Sequence, residues 1–74
     1  MIKTLDAVPI GTTVIVENLN CYGNIRRRLL DLGIINGTKI KPIFTSPSGD
    51  PIAFEVRGTV LAIRKENCKE ISIK

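Results

Sequence analysis

Three arginines stand side by side, Arg26-Arg27-Arg28, in a chain with two cysteines, seven carboxylates and no histidine. Without imidazole, the usual general base and the usual transition-metal ligand are both missing. Ser/His/Asp and Cys/His arrangements for nucleophilic catalysis are therefore excluded. Cys21 and Cys68 lack the C-x-x-C spacing of a zinc knuckle or redox pair. Cys68 reads as a small core residue and Cys21 as a free thiol in a loop. The carboxylates Asp6, Glu17, Asp31, Asp50, Glu55, Glu66 and Glu70 form no spaced metal motif. The expectation is no tight ferrous or zinc site and no cofactor in the monomer. "GIINGTK" has three residues between Gly33 and Gly37, and Thr38 precedes Lys39, so it is not a Walker loop. The chain reads as a non-enzyme.

The arginine triplet has two readings, a grip for phosphate or the wet side of a packing helix. Asn24 offers a side-chain oxygen as a helix cap, and Gly33 can stop a helix in a left-handed conformation. Between them Ile25, Leu29 and Leu32 recur at i, i+4 and i+7, which predicts one buried stripe. Arg27 and Asp31 are an i,i+4 pair on the opposite side. Arg26 and Arg28 flank the stripe, where their stems can cover its edges. Leu30 falls off the stripe by about 100° and is expected at the surface. Packing explains much of this pattern. However, arginines near a helix N-terminus oppose its dipole, which leaves room for a function at Arg26 or Arg28.

The elements around that helix must come from 74 residues, one small domain over 1–74. A net charge of +4, from eleven Lys and Arg against seven Asp and Glu, favours anionic partners without forming a basic block. Ile2-Lys3-Thr4-Leu5-Asp6 has no apolar signal-peptide core, and no run approaches the roughly 18 apolar residues of a membrane span. A cytoplasmic protein with reduced thiols and no membrane insertion is expected. The aromatic residues are Tyr22, Phe44 and Phe54, few for a single-strand nucleic-acid platform. Phe54 reads as core.

Leu5, Val8 and Ile10 are spaced to touch a core in a lead-in segment. "TTVIVE" from Thr12 to Glu17 predicts a strand with Val14 and Val16 on one face, and "NLNCYGN" a loop. After a turn at Asn36-Gly37, "TKIKPIFTS" predicts a strand that Pro42 places at an edge or a bulge. Ser46 to Pro51, "SPSGDP", reads as a defined loop between strands. Ile52, Phe54 and Val56 alternate inward. Past Gly58, Leu61 and Ile63 take over, so the inward parity changes, which predicts a β-bulge at the glycine. "KENCK" fits one helical turn, and Ile71 and Ile73 a last strand. The sum is mainly β, a small partly open barrel of about five strands with one inserted short helix.

The order of motifs resembles the FeoA family over nearly the whole chain, from Leu5 to Ile73. The residues that carry the likeness are Arg27-Arg28-Leu29, Leu32-Gly33, Gly37, Ser46-Pro47-Ser48-Gly49-Asp50-Pro51, Arg57-Gly58 and Ile63-Arg64. Ile63 stands where Leu is more usual, and Cys68 where a small residue is common. The resemblance implies an SH3-like barrel and an accessory role in bacterial ferrous iron uptake. The partner would be FeoB, the membrane transporter with a cytosolic GTPase domain, and ferrous iron the transported ion. Weak transition-metal binding and a weak homodimer also belong to that picture. The surface expected to meet the partner is Arg28, Leu30 and the loop tip Ser48-Gly49-Asp50. Ile25, Leu29, Leu32, Gly33, Gly37 and Gly58 are expected to be structural. The competing reading is a nucleic-acid-binding barrel using Arg26 to Arg28, Lys39 and Lys41, but no nucleic acid is expected as partner.

Overall fold

Runs of β-branched residues broken by glycine and proline dictate short strands, and the computed structural model, which describes residues 3–74, has six. They are β1 (Lys3–Thr4), β2 (Val14–Leu19), β3 (Lys39–Thr45), β4 (Ile52–Val56), β5 (Thr59–Ile63) and β6 (Ile71–Ile73). A 3-10 turn spans Leu5–Ala7, helix α1 spans Gly23–Asp31 and helix α2 spans Lys65–Cys68. All pairings are antiparallel, in the order β1-β6-β2-β3-β4-β5. The fold is mainly β, and β1 adds one very short strand to the five expected. Met1, and Ile2 of the leading stretch read for a signal peptide, lie outside the described residues.

The core gathers Leu5, Val16, Leu19, Leu29, Ile34, Ile40, Phe54 and Ile71 from every layer of the chain. Phe54 is fully buried, as its alternation with Glu55 requires. Ile10, by contrast, is exposed, so only Leu5 and Val8 of the lead-in reach the core. Pro42 lies inside the sheet, and the ladder between β3 and β4 shifts register between Pro42 and Phe44. The Pro42 carbonyl accepts the Gly11 N–H at 2.7 Å. Strand β2 runs on through Asn18 and Leu19, past the expected loop boundary. A shift between Val16 and Asn18 lets Leu19 pair with Ile71 and turn inward.

The parity change near Gly58 has a simpler cause than a bulge. Arg57 and Gly58 are the two central residues of a tight hairpin, with φ of 52° and 80°. Two positive φ values in a two-residue loop are the signature of a type I′ turn. Val56 pairs with Thr59, Phe54 with Leu61 and Ile52 with Ile63. Partners in this hairpin have an odd sum of residue numbers, so even inward residues of β4 must face odd ones of β5. Gly58 supplies the left-handed conformation at no steric cost, while Arg57 adopts it as a non-glycine residue.

Candidate functional site

Helix α1 starts two residues earlier than the asparagine cap predicts. Tyr22 is the N-cap, with extended backbone and no side-chain bond, and Asn24 lies inside the first turn. The C-terminal end follows the sequence. The Ile34 N–H donates to the Leu29 carbonyl at 3.0 Å and the Gly33 N–H to the Leu30 carbonyl at 2.9 Å. These are the two bonds of a Schellman cap, with Gly33 at φ 86° in the left-handed position. Buried Leu29 and Ile34 supply the accompanying apolar residues. Over Gly33 sits the Arg57 guanidinium, with Nη1 3.0 Å from where a Cβ would stand. That places a cation at the negative end of the helix. Gly37 is equally tied in, its N–H donating to the Val16 carbonyl at 2.7 Å.

The expected buried stripe is corrected by this geometry. Leu29 is 4% exposed, but Ile25 is 36% and Leu32 40%. The reason lies across from the helix. Ile25, Arg28, Leu29 and Leu32 form one wall of an open groove of about 270 Å³, and Pro51, Ala62, Ile63 and Arg64 line the other side. One leucine anchors α1 while the rest of its apolar side meets open space. Leu30 is exposed as expected, at 39%.

The arginines part company. Arg26 Nη1 donates to the Leu19 carbonyl at 3.1 Å, so its head ties the helix to the end of β2. Arg27 and Asp31 make no ion pair; the one ion pair among the described residues is Lys41–Glu55 at 3.6 Å. The Arg28 side chain makes no hydrogen bond or ion pair among the described residues and stands on the rim of the groove. Lys39, Lys41 and Arg57 line a separate concavity of about 540 Å³ with Glu55. The five cations of the nucleic-acid reading therefore do not share one groove. Exposed Tyr22 and Phe44 line neither concavity, and Phe54 is core.

The Ser46–Pro51 loop is held by its own bonds. The Ser46 hydroxyl donates to the Asp50 carbonyl, and the Gly49 N–H to the Ser46 carbonyl at 2.8 Å. Ser48 is exposed and Gly49 half-buried. Asp50 is not a free tip: its Oδ1 accepts the Lys65 N–H at 2.9 Å and caps α2. That bond spans fifteen residues of sequence, so no local pattern announces it.

Cys21 is a free thiol in the loop between β2 and α1, as expected, but like Cys68 it is buried. Burial first, and the charge of Glu70 second, raise the Cys21 pKa. Burial, then Asp6 and Asp50, push the Cys68 thiol up to about 12. Neither is a thiolate at neutral pH, the form that binds metal or attacks an electrophile. Among the described residues, no three His, Cys, Asp or Glu side chains converge as a metal site. No helix among them is long and apolar enough to cross a membrane.

Comparison with known proteins agrees with this build. The FeoA domain family matches residues 3–74. A Campylobacter jejuni subsp. jejuni protein named for Fe(2+) transport, transport protein A, is 29% identical over 70 residues, 95% of either chain. The solution structure of a FeoA-like protein from Clostridium acetobutylicum is 37% identical, with a TM-score of 0.86 over 96% of this chain and 83% of that one. The crystal structure of Stenotrophomonas maltophilia FeoA in complex with zinc, described as an SH3 domain protein, is 29% identical. Its TM-score is 0.84, over 97% of this chain and 89% of that one. With a family match over all described residues and the same SH3-like barrel in its relatives, the chain belongs to the FeoA domain family.

Proposed function

We propose that this protein is a cytoplasmic accessory protein of ferrous iron uptake that works by docking on the transporter FeoB, at its cytosolic GTPase domain. Family membership supports the iron-transport setting. The observation that carries the docking role is the state of α1. Its nine residues bury only Leu29, and Ile25, Leu30 and Leu32 remain exposed. An isolated helix this short is marginal in water, so it exists by tertiary anchorage. A helix held by one leucine and otherwise showing apolar and cationic side chains is built to be met by another surface.

The partner-facing surface in this reading is Arg28 and Leu30 with the Ser48-Gly49 tip, while Asp50 positions the loop through α2. Iron is cargo of the system. With no imidazole and two buried, protonated thiols, the monomer's own ligands suit no tight ferrous or zinc site. Pull-down of the purified transporter's cytosolic domain tests the reading. Retention that survives washing supports it, and none at micromolar concentrations overturns it. A salt titration against generic DNA and RNA tests the rival reading, which requires affinity that collapses as salt rises.

A further inference from the structure

Strand β5 is an end strand of the sheet and pairs only with β4 among the described strands. Its five residues, Thr59 to Ile63, contain no charge and no proline. Natural edges are usually blunted by such residues, because a bare edge is a template for another strand. The hairpin register tells which backbone groups are free. The turn's own bond joins Val56 and Thr59, so these form a hydrogen-bonded pair. Alternation along an antiparallel ladder then makes Leu61 and Ile63 bonded partners of Phe54 and Ile52. Val60 and Ala62 point their N–H and C=O groups the other way, and among the described residues nothing accepts from or donates to them. Both residues are exposed. The end of this edge that carries Ala62 borders the groove whose far wall is α1.

We propose that the free edge of β5 and the facing side of α1 form one slot, into which an extended, acidic and apolar segment of a partner protein inserts as an added strand. Strand addition supplies backbone hydrogen bonds at Val60 and Ala62. Alternate side chains of the guest reach the half-exposed Ile25 and Leu32. Arg28 and Arg64 stand on opposite sides of the groove and select carboxylates. The same charges disfavour a second copy as guest. Pairing β5 with β5 so that Val60 meets Ala62 in both directions sets Arg57 opposite Lys65 twice, in a chain already at +4. This recognition mode stands apart from the identity of the partner, and a synthetic peptide tests it without the transporter.

The probe is an eight-residue peptide of alternating Val and Glu, titrated into the isotope-labelled protein. Its control carries N-methyl groups on every second amide, which removes strand pairing and keeps the side chains. The expected result is saturable binding that shifts the Val60 and Ala62 amides together with Ile25 and Leu32, slows hydrogen exchange at both amides, and weakens at least tenfold with the N-methylated peptide. Ala62→Pro should abolish binding, since its N–H points outward and proline is tolerated there in an edge strand. Arg64→Glu should weaken it tenfold in a fold whose spectrum is otherwise unchanged, which keeps the test valid if the proline variant unfolds. Equal binding of the N-methylated peptide, shifts confined to the Lys39–Arg57 concavity, or no binding at millimolar peptide would each overturn the slot. So would protection of Val60 and Ala62 in the protein alone as its concentration rises, because the guest would then be a second copy.

Discussion

Strand β4 buries four of its five residues, Ile52, Ala53, Phe54 and Val56, whereas α1 buries one of nine. Both segments carry a regular apolar pattern, period two in the strand and about 3.6 in the helix. The strand has a neighbour on either side, β3 and β5, and packs Phe54 into the centre of the core. Opposite the helix there is only the rim of the barrel and a groove. The contrast separates two uses of apolar sequence. In β4 it holds the domain together, and in α1 it holds at one point and is displayed at the others.

The largest expected effects test that division. Phe54→Ala should cost about 3–5 kcal/mol and leave so small a domain largely unfolded. Leu29→Ala should cost about 2–5 kcal/mol, because it removes the single anchor of α1. Ile25→Ala and Leu32→Ala should each cost less, about 1–2 kcal/mol, since more than a third of either residue stays in water. Urea melts of the four variants check the series. If Ile25→Ala matches Leu29→Ala, the helix packs along its whole stripe and the contrast with β4 disappears.

A middle-sized effect probes the barrel interior through Cys68. Its thiol is fully buried and donates to the Ile63 carbonyl at 3.8 Å. Its folded pKa, about 12, lies above the ordinary value of 9.0. Stability that depends on the neutral thiol is complete below pH 9 and is lost as pH climbs from 9 toward 12, because the unfolded chain ionises first. The slope approaches about 1.4 kcal/mol per pH unit for one group. Cys68→Ala should lower stability at pH 7 but flatten this alkaline slope relative to the parent. Parallel slopes in melts from pH 8 to 11 would mean that the thiol is ionised as readily in the folded as in the unfolded chain.

The strand side of the molecule was legible in the sequence because a strand's face is set by strict alternation. Ile52, Phe54, Val56, Ile71 and Ile73 all point as their spacing requires. The Gly33 stop and the Ser46–Pro51 loop were legible for a similar reason, since their bonds are local. What stayed hidden depends on neighbours distant in sequence. Helical periodicity shows that Ile25, Leu29 and Leu32 share a face, but not whether anything covers it. Asp50 reaches Lys65, and Arg57 lies over Gly33, only once the barrel has formed. The parity change after Gly58 was visible, but a bulge and a two-residue reversal give the same pattern. Arg26 and Arg28 look alike in sequence and differ only because the end of β2 offers Arg26 a carbonyl.

The smallest expected effect on stability falls on Arg28, and it decides what α1 is for. The Arg28 side chain makes no hydrogen bond or ion pair among the described residues, so its loss leaves no buried group unsatisfied. Arg28→Glu should shift stability by under about 0.5 kcal/mol, as surface substitutions usually do. Arg26→Ala should cost more, roughly 1 kcal/mol, because it frees the Leu19 carbonyl. For binding the order should reverse. Arg28→Glu replaces a fork that pairs with carboxylates by a charge that repels them. Affinity for the transporter's cytosolic domain should fall at least tenfold, about 1.4 kcal/mol, and ferrous iron uptake in cells should fall with it. Leu30→Ala should weaken binding in the same direction with the fold intact. If Arg28→Glu and Leu30→Ala both stay folded and bind the transporter like the parent, the exposed face of α1 has no part in docking. The helix would then be a lid on the barrel rim, and Arg28 only its solvated edge.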